Sequence, residues 1–594
     1  MRNVAGPSFA GCPGHALLHR VALALTVLML GATHASAQLI FDGSVLYQNS
    51  ATPSVAGQFV GGPTGGAAIA ACPVGYNAAA LGTLSFTHNT YQDPLLPLAA
   101  YAPNRVPVFQ PKLGSPAYSF AVTVPNDGFF QQTCYVGAIG PDVADDWTKG
   151  WTYWDSTGAS RQDLHLPGMP DPRPTVVHAN IIANVDQFWG ADSNHLVRGQ
   201  FRVQGGASLT IAAGTVIFEE RATLGTIRID RGSKIFALGK ADSVIIVTSD
   251  DAPGSQTVGA GGGLVINGRA RVNNANTCAG DSASAEGGAV GFYGGDDDHD
   301  NSGALRYVRI EYAGKEITPN NELNSFTNNA VGDATTFDFL QAHRGADDGF
   351  ETFGGTAQVK HLVCSDGRDD GFDWQQGYRG KAQFVIVRTS PEFAPSGTQN
   401  GDKGIEADNN DVAPFTQLVC AGRSNPIVAN FTLVGDKRAG ASFPGSPAGV
   451  NLRRATAGTC LNFIVYNYKS SAVKIDDDVT WLAHCPAIPP DQALFCSAAT
   501  TGVVGQGQVF IANSAPNPFR RDVAFQFSLA EAGKVTVEVY GADGRLVETL
   551  VNRELPAGTH SIAWQPAARV PSGVYFYKVF ANGRQASGKV IRVD

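Results

Sequence analysis

The sequence is poor in the features that most directly announce chemistry. There is no G-x-S-x-G turn to hold a nucleophilic serine, no H-E-x-x-H pair to grip zinc, and no Walker-type loop for phosphates. None of its nine cysteines forms a C-x-x-C pair, and His299, His343 and His361 do not fall at metal-ligand spacing. Only 16% of residues are charged and the formal net charge is −9, so the chain shows neither a nucleic-acid footprint nor a basic membrane-binding patch. Beyond the N-terminal leader no stretch approaches ~18 uninterrupted apolar residues, which argues against any later membrane-spanning helix. Helical periodicity is scarce throughout.

Glycine is what the chain has instead: 69 of 594 residues, beside 33 prolines and frequent Asn, Asp, Thr and Val. That mixture suits many short strands joined by turns, and the length predicts several domains. The start combines basic residues, the apolar run VALALTVLMLGA and Ala35-Ser36-Ala37, the pattern of a secretory signal peptide over 1–37 cleaved between Ala37 and Gln38. Without Cys12, eight cysteines remain: Cys72, Cys134, Cys278, Cys364, Cys420, Cys460, Cys485 and Cys496. In an exported chain an even set is expected to form disulfides. Cys485 with Cys496, flanking a Pro-rich loop, is the preferred local pair and Cys72 with Cys134 the next; the rest stay open.

Residues 38–175 read as an N-terminal β-rich cap region. Its Trp147, Trp151 and Trp154 suit either a sugar-stacking platform or the core of a small β-layer. From 176 to 508 the grammar changes. Short β-rich runs such as Leu209-Thr210-Ile211, Ile227-Arg228-Ile229 and Val244-Ile245-Ile246 recur between glycines at intervals of roughly twenty residues. The expected fold is all-β, a right-handed parallel β-helix in which stacked rungs bury a core that no rung could bury alone.

Inside this region DDGFE (347–351) is followed 22 residues later by DDGFD (369–373). Aligning Gly349-Phe350-Glu351 with Gly371-Phe372-Asp373 and Gly404-Ile405-Glu406 predicts a column of acids on successive rungs, ~4.8 Å apart, with Asp476 as a candidate fourth member. Like charges at that spacing repel, and three explanations stand. The column is structural, its acids starting turns and balanced by Arg344, Lys360, Arg368, Arg379 and Lys381. Or Asp347, Asp348, Asp369 and Asp370 hold calcium. Or Glu351, Asp370, Asp373 and Glu406 supply the carboxylates of a glycoside hydrolase, or the site of a polysaccharide lyase with Lys360, Arg379 or Arg388 as its base. A second acidic cluster, Asp296, Asp298 and Asp300, opens like a calcium loop. Arg309 stands where the closing bidentate Glu belongs, leaving a simpler calcium loop or a solvated turn.

The words Gly262–Gly268 (GGLVING), Tyr307–Gly314 (YVRIEYAG) and Asp347–Glu351 resemble a group of secreted bacterial β-helix proteins, a resemblance that covers about 178–480 and bears on fold and location. Over 509–594 alternating strands are separated by the turn words EAGK, GADGR, PAGTH, PSGV and ANGR, the pattern of an Ig-like sandwich. Pro516-Asn517-Pro518-Phe519, Asp543-Gly544-Arg545, Trp564 and Ser572–Tyr577 make this segment resemble the FlgD-like Ig module and the C-terminal sorting domain of the type IX secretion pathway. The resemblance implies that residues 513–594 engage secretion machinery. The reading that results is a secreted or outer-surface β-helix protein that binds an extended ligand such as polysaccharide or surface matrix. A carbohydrate-active enzyme and a structural surface-layer component are the alternatives.

Overall fold

A computed structural model describes residues 39–47, 59–61, 84–85, 89–90, 92–97, 107–119, 121–154, 173–252, 254–273, 283–286, 291–318, 321–389, 403–410, 423–435, 448–476, 512–515, 519–529, 532–541, 545–556, 558–567, 570–581 and 584–593. The signal-peptide expectation, Cys72 and the Cys485–Cys496 pair lie outside them. The described residues fall into two compact units, one within Met1–Ala499 and one within Thr500–Asp594. Among them no helix is long and apolar enough to cross a membrane.

The first unit is a parallel β-helix. One wall is an eleven-stranded parallel sheet that climbs from Ile182–Ala183 through Gln200–Val203, Thr226–Ile229, Gly263–Asn267, Phe326–Asn329, Phe350–Phe353, Phe372–Gln375, Ile405–Ala407 and Ala448–Leu452 to Ser471–Ile475. The last place in this sheet, beside Ser471–Ile475, is taken by Phe59–Gly61 from the start of the chain. Likewise Leu39–Asp42 pairs with Gly458–Leu461, and Val45–Tyr47 pairs with Ile464–Tyr466. The N-terminal cap therefore closes the far end of the solenoid, although it comes first in sequence.

The remaining walls begin as separate short strands and fuse, from Gly303 onward, into single strands of eight or nine residues: Gly303–Glu311, Thr336–His343, Gln358–Ser365, Lys381–Arg388 and Ile427–Val434. Each bends at one residue in the left-handed region: Tyr307, Phe339, His361, Phe384 and Asn430, with φ between 48° and 61°. Non-glycine residues seldom adopt that conformation. Here stacking compensates, because the rings of Tyr307, Phe339, His361 and Phe384 form a column with centroids 4.2–5.2 Å apart.

The interior is an apolar stack. Phe326, Phe350 and Phe372 lie in register on adjacent rungs, the last pair with centroids 5.5 Å apart and planes at 8°. Each fully buried phenylalanine contributes about 1.5–3 kcal/mol. Two cysteines belong to this core and correct the expectation of complete disulfide pairing. Cys364, in register with Ala342 and Val387, and Cys460, in register with Val428 and Phe41, are free and buried. They occupy inward positions on rungs far apart, where a thiol serves as a small hydrophobe. Cys134 is disulfide-bonded.

The described residues 107–119 and 121–154 form neither a β-layer nor an open platform. They run as an irregular strap over the outside of the long-stranded wall. Side chains from the wall bind the strap backbone: Asn462 to Val122, Gln383 to Gln131, Asn430 to Tyr135 and Gly137, Gln341 to Tyr153, and Arg309 to Trp151. Trp151 is buried, and Trp147 packs its edge on Phe339 and His361, so the tryptophans anchor the strap instead of awaiting sugar.

The second unit is a sandwich of two antiparallel sheets. Ala512–Ala515, Val523–Leu529 and Gly558–Trp564 form one, and Leu546–Leu555, Gly533–Gly541, Gly573–Ala581 and Arg584–Arg592 the other. Alternate residues such as Val535, Val537 and Val539 meet Phe525, Trp564 and Tyr577 in the shared core.

Candidate functional site

Four positions of the word DDGFE, Asp348 to Glu351, have a structural reason. The phenylalanine points inward. The preceding glycine is required by close approach: a Cβ on Gly349 would meet Cys364 Sγ at 2.7 Å, and one on Gly371 would meet Val387 at 2.2 Å. The aspartate two residues before the inward side chain caps the next rung. Asn324 Oδ1 accepts the Asp348 N–H at 3.1 Å, Asp348 Oδ1 accepts the Asp370 N–H at 2.9 Å, and Asp370 Oδ1 accepts the Lys403 N–H at 2.9 Å. These side chains replace ladder partners that the corner backbone lacks.

The residue after the inward side chain forms the ladder that the repeat predicts. Thr327, Glu351, Asp373, Glu406 and Asn451 pair rung by rung. The next member is Lys474; Asp476 lies two residues beyond it and touches the column through Asn451 Nδ2 at 3.4 Å. The acids point away from the interior, yet Glu351, Asp373 and Glu406 are only 6–7% exposed and Asp370 3%. An outward-facing position has been covered, so the ladder is part of the wall and not a solvent-facing stripe.

Its charge balance is uneven. At one end Lys403 Nζ lies 2.6 Å from Glu406 Oε1 and 3.4 Å from Asp370 Oδ2. Arg453 contacts Glu406 and Asp408, and Arg454 lies 2.8 Å from Asp408. Burial opposes the charge on Glu406, but Lys403 and Arg453 outweigh it and hold its carboxyl below the ordinary value. At the other end, among the described residues, no ion pair forms, although Arg453 pulls on Asp373 against its burial. Burial, then Asp373 and Glu351, drive Asp348 well above the ordinary carboxylate range; burial and Asp373 do the same to Glu351, and burial with Glu406 and Asp408 to Asp373. Burial pushes Asp370 up to about 8 against the pull of Lys403, and Asp369 to about 6. Three overlapping trios bring carboxylate oxygens within 4.8 Å of one another: Asp347, Asp348 and Asp369; Asp348, Glu351 and Asp373; Asp370, Asp373 and Glu406.

Four of the cations near the acids in sequence are engaged elsewhere. Lys381 pairs with Asp127 at 2.7 Å, Arg388 is bidentate on Asp366, and Lys360 lies over the Phe129 ring. Arg379 and Arg271 together clamp Asp298, which occupies the central acid of the second cluster. Asp300 accepts from Ser302 Oγ, and Asp296 is exposed, so the turn is tied to the arginines through Asp298. The bases that do serve the ladder were missed, but a signal existed. The third copy of the word reads Asp402-Lys403-Gly404-Ile405-Glu406, with lysine where the first two carry aspartate.

Residues 181–495 match the family described as pectate-lyase like beta helix domain. The chain belongs to that family. Residues 515–593 match the secretion system C-terminal sorting domain, which makes this a secreted or outer-surface-attached protein. No curated protein matches the chain. Among solved structures it is similar to the enzymatically active domain of bacteriophage CBA120 tailspike protein 2, at 8% identity over 68% of this chain and 72% of that one. The TM-score is 0.22, a superposition too loose to bear on activity.

Proposed function

We propose that this secreted β-helix binds an extended acidic polysaccharide or surface matrix without cleaving it, and that an Ig-like C-terminal sandwich delivers it through the secretion machinery. The observation that carries the reading is the sealing of the carboxylates. The cavity beside Asp369 and Asp370 has a volume of about 10 Å³, room for a single water. A glycosidase must bring two carboxyl groups against a sugar ring, and a lyase needs a base facing its substrate. Neither geometry is available to acids buried in the wall, and Lys360, Arg379 and Arg388 all have partners.

An open cleft of about 420 Å³ supports the binding half of the proposal. Arg231, Arg269, Gly294, Gly295, Asp296 and Asp297 line it; both arginines are exposed residues, and Arg231 donates its Nη1 to the Gly294 carbonyl at 2.8 Å. Two arginines suit bidentate recognition of sugar carboxylates or sulfates. Full-length protein titrated on acidic and neutral polysaccharides should bind the acidic polymers, and the double variant Arg231→Ala/Arg269→Ala should lose at least tenfold in affinity. Release of reducing ends or unsaturated products from the same polymers, abolished by Asp373→Asn in a folded variant, would replace this reading with an enzyme.

A further inference from the structure

We propose that Asp348, Glu351 and Asp373 hold a calcium ion inside the wall of the β-helix, as a structural element separate from the polysaccharide cleft. Ligand oxygens of the three lie within 4.8 Å of one another, and all three side chains are buried. Proximity alone does not demand a metal, because buried acids also protonate or pair with bases. Each of those escapes meets an obstacle here.

Protonation conflicts with the hydrogen bonding of Glu351. Its Oε1 accepts from Gln375 Nε2 at 2.9 Å and its Oε2 accepts from Asn324 Nδ2, and both donors favour the ionised carboxylate. Asp348 Oδ1 is likewise committed to the backbone N–H of Asp370. Base pairing is not available either. Lys403, Arg453 and Arg454 serve Asp370, Glu406 and Asp408, and among the described residues no ion pair reaches Asp348, Glu351 or Asp373.

A separate observation points to a ligand. Asp373 Oδ1 is buried without any hydrogen-bond partner, although its residue sits between Glu351 and Glu406 on the ladder. The carboxamide oxygen of Gln375, on the residue that donates to Glu351, has none either. An acceptor that has lost water and gained no donor is costly, and one cation satisfies several acceptors at once. The donor set is entirely oxygen, with no histidine or thiolate to favour a transition metal. Calcium accepts six to eight oxygens at about 2.3–2.6 Å in flexible geometry, whereas magnesium demands a near-ideal octahedron. The overlapping trio of Asp347, Asp348 and Asp369 would compete for the same Asp348 and includes the partly exposed Asp369, which favours the inner position.

The test uses full-length protein stripped with a chelator and dialysed against calcium, magnesium or metal-free buffer. We expect about one calcium per chain by emission spectrometry, little magnesium, and a melting midpoint at least about 5 °C higher with calcium than after stripping. Asp373→Asn should abolish calcium retention, while Asp298→Asn, whose carboxylate is held by two arginines, should keep it. If Asp373→Asn does not fold, the metal content of the native chain and of Glu351→Gln decides. Negligible calcium with an unchanged midpoint, or retention undiminished in the ladder variants, overturns the proposal. Polysaccharide binding measured on the same samples reports separately on the cleft.

Discussion

Replacing Glu219 with glutamine should stabilise the β-helix at neutral pH, and the gain should grow with pH. Glu219 ends the strand Val216–Glu219, in register with Val197 and Ser249, and is 1% exposed. Its Oε2 accepts the Gly263 N–H at 3.2 Å, and its Oε1 is buried without a partner. Burial pushes the carboxyl from its ordinary 4.5 up to about 8, only partly opposed by the Gly263 hydrogen bond. Between those values the folded chain keeps a proton that the unfolded chain releases, so stability falls as pH rises. The slope is ~1.36 kcal/mol per pH unit, which gives about 3 kcal/mol at pH 7 and about 4 kcal/mol at pH 8, above which the loss levels off. Below pH 4.5 both states are protonated and the contribution vanishes. Glutamine keeps the shape and an acceptor for Gly263 but carries no charge in either state. Urea unfolding of both proteins at pH 5, 6, 7 and 8 should show wild-type stability dropping away from the variant by the stated slope. Parallel profiles would refute the reasoning, since any fixed packing cost of the amide is independent of pH.

Four further outcomes follow from the same coordinates. Phe372→Ala removes a ring stacked on Phe350 and packed edge-on against Phe431, and should cost about 3–5 kcal/mol in a thermal or urea melt. Trp151→Ala should loosen the strap before the solenoid, so limited proteolysis would cut within 107–154 while the rungs stay protected. His178 stacks on Trp189 and contacts His195 at 3.0 Å, and burial followed by His195 lowers its pKa to about 4. Stability from this pair is present above pH 6.5 and lost as pH falls toward 4, which Trp189 fluorescence and melting at graded pH should follow. Deleting 515–593 should leave the β-helix folded but retained inside the cell, as read by fractionation and circular dichroism.

The rung architecture was legible because a solenoid writes its period into the chain. The alignment of Phe350 with Phe372 and Ile405, and of Glu351 with Asp373 and Glu406, came from repeated words alone, and the strands pair in that register. Local spacing also gave the seven-stranded C-terminal sandwich through its turn words. What failed was any inference that needed distant parts of the chain. Arg379 and Lys381 sit beside the acids in sequence, yet their side chains leave for Asp298 and Asp127. Arg453 comes from a rung some eighty residues past Asp373 and supplies the charge instead. The even cysteine count suggested full pairing, but Cys364 and Cys460 face the core on separate rungs.

By itself the sequence determined the period, the inward and outward faces and the export address, since each depends on residues a few positions apart. Tertiary structure alone decided that the strap lies over the long wall, that residues 39–47 and 59–61 close the far end of the coil, and that outward acids are nonetheless shut away from water. Those outcomes depend on which surfaces meet across hundreds of residues, and burial sets both the charge state of a carboxylate and whether a substrate can reach it.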